Sequence, residues 1–312
     1  KSGAKYFSLT IKGDFKKIKD ISLSGKIPGG SNIFTIPIEN YPSCSPKINI
    51  EIDDLEATID TSVVSIDEQI IKFKQTETIL KHKMVVPEGF NLIVYPGQSL
   101  IIEENLVIYG AINLHGLGDQ VINVKTSNNA TIQIFGSLNA SNVQFSGLNL
   151  IESKNAILGF ERCLFFDVGE NIISDYHSNI NMSFCSGGNV NSLGEFIKTE
   201  AYFKDNDFSN GNLLISSVGA FVNINGCQFK NFNKILEGDY VSQTNLWYTD
   251  VSNSDTLFEL SNTSSCNIVV SNFKSFNKGF VINGVSPKLV GESSYSLYAS
   301  TFLDFSDLEI KL

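Results

Sequence analysis

The sequence predicts an all-β chain, a right-handed parallel β-helix of about 22 residues per coil with an N-terminal β-rich cap or small β domain. Three observations predict it. Segments such as "AFVNINGCQFKNFNK" (220–234) alternate apolar and polar residues with a period of two, as half-buried strands do. The same segment recurs down the chain at a nearly fixed spacing, the mark of a solenoid. No helical periodicity longer than a few residues interrupts it.

The spacing comes from aligning each segment on the residue at the Phe229 place. The series is Val121, Val143, Phe165, Gly187, Phe208, Phe229, Val251, Phe273 and Phe302, with steps of 22, 22, 22, 21, 21, 22, 22 and 29. Two residues later stand Asp167, Asn189, Asn210, Asn231 and Asn253. Asn and Asp tolerate the left-handed conformation that a tight corner requires, so each coil is expected to turn there. Stacked coils lie roughly 4.8 Å apart. The amides of Asn189, Asn210, Asn231 and Asn253 are therefore expected to form a ladder. Five residues before the anchor come Phe160, Met182, Phe203, Ile224, Leu246 and Ile268, all apolar. Seven after it come Ile172, Ile215, Leu236, Phe258 and Phe280, with Gly194 the exception. The two-residue-earlier column (Cys163, Cys185, Asn206, Cys227, Thr249, Ser271) is mostly small, and its cysteines are expected to be free thiols. Hexapeptide repeats, which a left-handed helix prefers, are absent, hence the right-handed form.

The periodic part is assigned to residues 78–312, about nine to ten coils, with Tyr109-Gly110 and Phe135-Gly136 as echoes of one turn. The last, long step marks an inserted loop at 284–293. Residues 1–77 lack the period. There "KYFSLTIKG", "NIFTIPIEN" and "KINIEIDDLEATID" alternate like antiparallel strands, and "SIDEQIIKF" fits a short helix or a further strand. A solenoid end exposes an apolar cross-section and needs a cap; this segment is that cap or the tail of a preceding domain.

Composition limits the function. The net charge is -10 over 312 residues, against nucleic acid and anionic membranes, which need clustered Lys and Arg. Arg162 is the only arginine, so a phosphate or carboxylate clamp is nearly excluded. No stretch of 18 apolar residues occurs, which argues against membrane insertion. The start at Lys1 suggests a mature or excised piece covalently linked to further domains. The five cysteines show no Cys/His metal spacing, so no metal and no cofactor are expected.

"VPEGFNLIVYPGQSLIIEENLVIYGAINLHGLGDQVINV" (86–124) resembles the first coils of right-handed β-helix modules of the pectin-lyase-like superfamily. Such modules occur in large bacterial secreted or surface proteins, some attached to spore-coat-H-type kinase domains. The resemblance rests on Tyr95-Pro96-Gly97, Tyr109-Gly110 and Gly116 to Val121. It implies a secreted or cell-surface location and a carbohydrate partner. Polysaccharide lyases and glycoside hydrolases of this superfamily are the catalytic alternative.

Catalytic residue types are sparse. The Asn-Thr-Asp, Asp-Asp and Gly-His-Gly patterns that pectin-type hydrolases carry on successive coils do not occur in the periodic part. His177 stands beside Asp175 and Tyr176, a base-and-acid pairing seen in some lyases. Glu237 and Glu259 each lie eight after the anchor on consecutive coils, with Glu195 two coils earlier; their carboxyls would approach the ~5–5.5 Å of a retaining glycosidase pair. Asp239 nearby leaves calcium as the one ion to consider. No basic residue is placed against them.

A binding face is the stronger expectation. Trp247 lies next to inward Leu246 and so faces out, in a column with Glu161, Ser183, Lys204, Asn225 and Val269. One column over stand Asp207, Gln228 and Asp250; Tyr248 and Tyr240 extend the group. An indole gives a sugar ring a flat apolar face, and amides and carboxylates accept its hydroxyls. The competing reading packs Trp247 under the 236–244 loop. The sequence thus favours a non-catalytic secreted or surface module for glycan binding or structural spacing within a larger protein.

Overall fold

A computed structural model describes the backbone of residues 22–26, 33–37, 61–127, 130–169, 171–239, 242–261, 264–282, 294–298 and 300–307. The chain divides into two compact units, Lys1–Pro46 and Lys47–Leu312. In the first, Ser22–Lys26 pairs antiparallel with Ile33–Pro37, within the stretch where alternation predicted a strand. The "KYFSLTIKG" and "KINIEIDDLEATID" stretches, and the 284–293 insertion, lie outside the described residues.

The second unit is all-β among the described residues, a parallel β-solenoid of about nine turns with a spacing near 22 residues. Its strands fall into two sheets. The first sheet holds twelve strands, two of them in a hairpin at its start. The second holds seventeen and is folded along its length, so that each coil contributes two rows of strand to it. "SIDEQIIKF" is neither a helix nor a lone strand. Val64–Asp67 and Ile70–Phe73 pair antiparallel, and Ile70–Phe73 then pairs parallel with Asn91–Val94. Val64, Ile71 and Phe73 are buried, so this hairpin starts the first sheet and covers apolar surface at its end.

From Asp167 onward the predicted corner of each coil bends at one residue of positive φ. The column Asp167, Asn189, Asn210, Asn231, Asn253 and Ser275 has φ between 52° and 63°, as the corner reading requires. Asn231 Nδ2 donates to Asn210 Oδ1 at 2.8 Å, and Asn253 Nδ2 to Asn231 Oδ1 at 3.0 Å. Asn189 Nδ2 donates instead to Asp167 Oδ1 at 3.2 Å, and Asn210 turns to Ser209 Oγ. The ladder therefore runs in two pieces, broken between Asn189 and Asn210. The corner also explains Phe232: the left-handed residue shifts the in–out alternation by one position, so Phe229 and Phe232, three apart, are both buried.

Two further columns bend the same way without Asn-rich sequences. Asn142, Arg162, Phe184, Asp205, Gly226, Tyr248 and Val270 turn the chain from the first sheet into the second, with φ between 47° and 65°. Asn155, His177, Lys198 and Gly219 turn it back. Just inside the former corner sits the small column. Asn206 accepts the Cys185 amide at 2.8 Å and donates to Met182 O at 3.0 Å, stitching coils together in the interior. Cys163, Cys185, Cys227 and Cys266 are buried free thiols; burial pushes Cys227 up to about 11.

The anchor column holds from Phe165 onward: Gly187, Phe208, Phe229, Val251, Phe273 and Phe302 occupy successive rungs. Upstream it is displaced. Phe145, not Val143, pairs with Phe165, and Val143 pairs with Ile122 rather than Val121. Phe145 and Phe165 stack at 5.0 Å with planes 7° apart. Likewise Ile173, not Ile172, shares the Gly194 and Ile215 rung. The two glycine exceptions are spaces that rings fill. A Cβ on Gly187 would lie 2.9 Å from the Phe208 ring, and one on Gly194 would lie 2.8 Å from the Phe196 ring.

Candidate functional site

The first sheet carries the predicted column in register. His115, Ser141, Glu161, Ser183, Lys204, Asn225, Trp247, Val269 and Tyr298 are paired rung by rung. Trp247 closes the strand Gln243–Trp247, whose Thr244 and Leu246 point inward. Alternation leaves the indole outside, 38% exposed. Asp207, Gln228 and Asp250 form the second predicted column, also exposed and in register. The two columns are not on one plane. Tyr248, at φ 51°, bends the chain between Trp247 and Asp250, so the columns flank a convex corner. The acidic one opens the adjoining sheet. Asp250 Oδ1 accepts a hydrogen bond from Asn272 Nδ2 at 2.8 Å. Tyr240 lies outside the described residues.

Exposed rings gather along that corner. Phe184, Tyr248 and Val270 occupy left-handed positions there while remaining substantially exposed. A bulky or β-branched residue in this conformation is an outlier that costs about 1–3 kcal/mol. Arg162 and Lys204 both sit over the Phe184 ring, at 5.8 and 6.0 Å from its centroid. Arg162 also pairs with Glu161 at 2.7 Å. The only arginine thus shields a ring at a corner. Lys204, in the Trp247 column, is drawn toward Phe184 as well.

Tyr298 is a member of this column that the sequence reasoning did not name. It is 69% exposed. It stands four residues before Phe302, as Trp247 stands four before Val251, and the pairing of Ser294–Tyr298 with Ser265–Val269 puts it on the Val269 rung.

The carboxylate pair is elsewhere, on the far row of the second sheet. Glu237 and Glu259 are in register on consecutive coils, and Glu195 holds the same column, with Ser216 between. The pair does have a basic partner. Lys234 Nζ is 2.5 Å from Glu259 and 3.3 Å from Glu237. Partial burial works against the ammonium, but the hydrogen bond with Glu259 and the charge of both glutamates outweigh it and hold Lys234 above the ordinary lysine value. A cation between two carboxylates offsets their repulsion, which removes the device a retaining pair uses to keep one carboxyl protonated. Lys234→Met is expected to cost ~0.5–1 kcal/mol in chemical denaturation at neutral pH. Adding Glu237→Gln to that variant should recover part of the loss by relieving like charge. Because the folded-state pKa is raised, this contribution is complete below the ordinary lysine value and fades as pH climbs through the raised one.

The His177 trio comes apart. His177 is an exposed corner residue at φ 62°. Asp175 points the other way, 2% exposed, and accepts hydrogen bonds from the hydroxyls of Ser153 and Thr199 and from the Ser178 amide. Tyr176 stays near His177, with ring centroids 5.9 Å apart. Lys154 and Lys198 lie within 5.8 Å of its ring. Asp239 Oδ1 accepts from the Ser261 hydroxyl at 2.8 Å. Among the described residues no three His, Cys, Asp or Glu side chains converge on one point, and no helix is long and apolar enough to cross a membrane.

Fold and surface together define a parallel β-solenoid with an aromatic and amide column on the first sheet. No protein-family model matches the chain, and no curated protein matches it. Among solved structures it is similar to the catalytic unit of a thermostable GH87 alpha-1,3-glucanase from Streptomyces thermodiastaticus strain HF3-3. The identity is 8% and the TM-score 0.28, with 74% of this chain covered. The chain spans about 63% of that catalytic unit.

Proposed function

We propose that this chain is a non-catalytic solenoid module of a larger secreted or cell-surface protein, and that it binds a neutral or cationic saccharide on the Trp247 column. The observation that carries the reading is the exposed indole in register with Lys204 and Asn225. It provides a stacking surface and hydrogen-bonding groups at fixed coil spacing. Among the described residues the interior columns are filled with Phe, Ile, Leu and Cys and leave no comparable place. Asp207 and Asp250 across the corner disfavour a uronate, and Lys204 alone does not offset them. Gln228 and the Asn225 amide serve neutral hydroxyls.

Trp247→Ala is expected to weaken binding by ~1–3 kcal/mol through lost stacking and apolar contact. Glycan arrays and calorimetry of wild type and variant measure it. Equal binding by both proteins, or a clear preference for polyuronates, would place the ligand on another face. Turnover of a polysaccharide abolished by Glu237→Gln would make the module an enzyme instead. If nothing binds, the module serves as a structural spacer.

A further inference from the structure

We infer that Tyr298 is a second aromatic subsite and that the ligand is a linear, uncharged, ribbon-like polysaccharide of the β-1,4-linked kind lying along the solenoid axis. The inference rests on the glycan-binding reading above and names its substrate class. Trp247, Val269 and Tyr298 are consecutive members of one column. Trp247 and Tyr298 are 38% and 69% exposed, and Val269 between them is half-buried and carries no ring. Coils repeat at roughly 4.8 Å, so the two rings stand roughly 9.6 Å apart on the same side of the same sheet.

In a β-1,4-linked chain each sugar ring is flipped relative to the one before. Every second ring therefore offers the same face. Aromatic platforms two coils apart, with a smaller residue between, fit that alternation: two like faces stack and the intervening ring passes over Val269. A chain lying across the strands would meet only one platform. A helically coiled α-linked chain would turn away from a straight column. Charge points the same way. Among the described residues Val269, Val270, Asn267 and Asn272, on or beside the rungs next to Trp247, are uncharged, and Asp250 at the start of the adjoining strand opposes an anionic chain.

The test is calorimetry on the full chain with cello-oligosaccharides of two to six rings, using wild type, Trp247→Ala, Tyr298→Ala and Tyr298→Phe, and maltohexaose as the α-linked control. Wild-type affinity is expected to rise as the oligosaccharide grows long enough to reach both platforms. Tyr298→Ala should erase that gain, about 10-fold for the hexaose, and leave the shortest ligands unaffected. Tyr298→Phe should retain it. Thermal melting checks that each variant keeps the fold. A length-dependent gain that survives Tyr298→Ala, or an equal gain with maltohexaose, overturns the inference. The glycan reading stands in that case if Trp247→Ala still weakens binding. Wild type that binds neither series also overturns it, and the glycan array then decides whether the broader reading falls too.

Discussion

Phe229→Ala is expected to lower the unfolding free energy by ~3–5 kcal/mol, the range for emptying a phenylalanine site in a packed core. The ring is 1% exposed. It stands in the strand Gln228–Asp239 between the Phe208 rung and the Val251 rung. A solenoid coil contacts only its two neighbours, so a void here loosens two coil–coil contacts and no others can compensate. Lys230, the next residue, is exposed and pairs with Ser209 and Ser252. Lys230→Ala should stay within ~0.5 kcal/mol of wild type. Urea titration of both variants measures the contrast. A loss below ~0.5 kcal/mol for Phe229→Ala would mean that the side chain does not face the interior.

Why one corner was legible and two were not follows from residue chemistry. Asp167, Asn189, Asn210, Asn231 and Asn253 carry short polar side chains that accept the left-handed conformation, so their recurrence announces a turn. The other corners mix Asn142, Asp205, Gly226, Asn155 and Gly219 with Arg162, Phe184, Tyr248, Val270, His177 and Lys198. No single residue type recurs from coil to coil there to announce a turn. There the backbone follows its neighbours above and below, through bonds such as Tyr248 N to Val269 O at 3.1 Å. The same corner, at Tyr248, sets Asp250 off the plane of Trp247.

The register was legible where a coil offers one large apolar residue at the anchor place and ambiguous where it offers two. Val143 and Phe145 are both fully buried and two apart, so period-two alternation cannot choose between them. The ring stack of Phe145 on Phe165 makes the choice. Ile172 and Ile173 are likewise both buried. Lys234 escaped for a related reason. Ile235 and Leu236 are consecutive buried residues, which breaks the alternation and brings Lys234 and Glu237 to the same side. Counting parity from the anchor would have put them on opposite sides.

Gly136→Ala is expected to cost ~3 kcal/mol, the upper end of what an added methyl costs a packed structure. Steric crowding by backbone decides it. A Cβ on Gly136 would lie 1.9 Å from Gly110 O and 2.4 Å from Tyr109 O. Gly110 is held as tightly by the coil before it, where its own Cβ would lie 2.1 Å from Phe90 O. The obstructing atoms cannot swing aside, because they belong to the coil-to-coil ladder. Gly136 N donates to Ile108 O at 3.2 Å and Ser137 N to Gly110 O at 3.0 Å. Tyr109 and Phe135 stack at 5.1 Å beside this corner and lock it further. Alanine must therefore push two coils apart, breaking ladder bonds at the start of the strand Ser137–Ser141. Gly188→Ala is the matched control: its Cβ would meet nothing within 4 Å, and its φ is not in the left-handed region. That substitution should be neutral, or stabilising by up to ~1 kcal/mol through a less flexible unfolded chain. Denaturant midpoints of the two alanine variants separate the causes. If both shift equally, glycine at Gly136 is needed for chain flexibility and not for close approach of the coils.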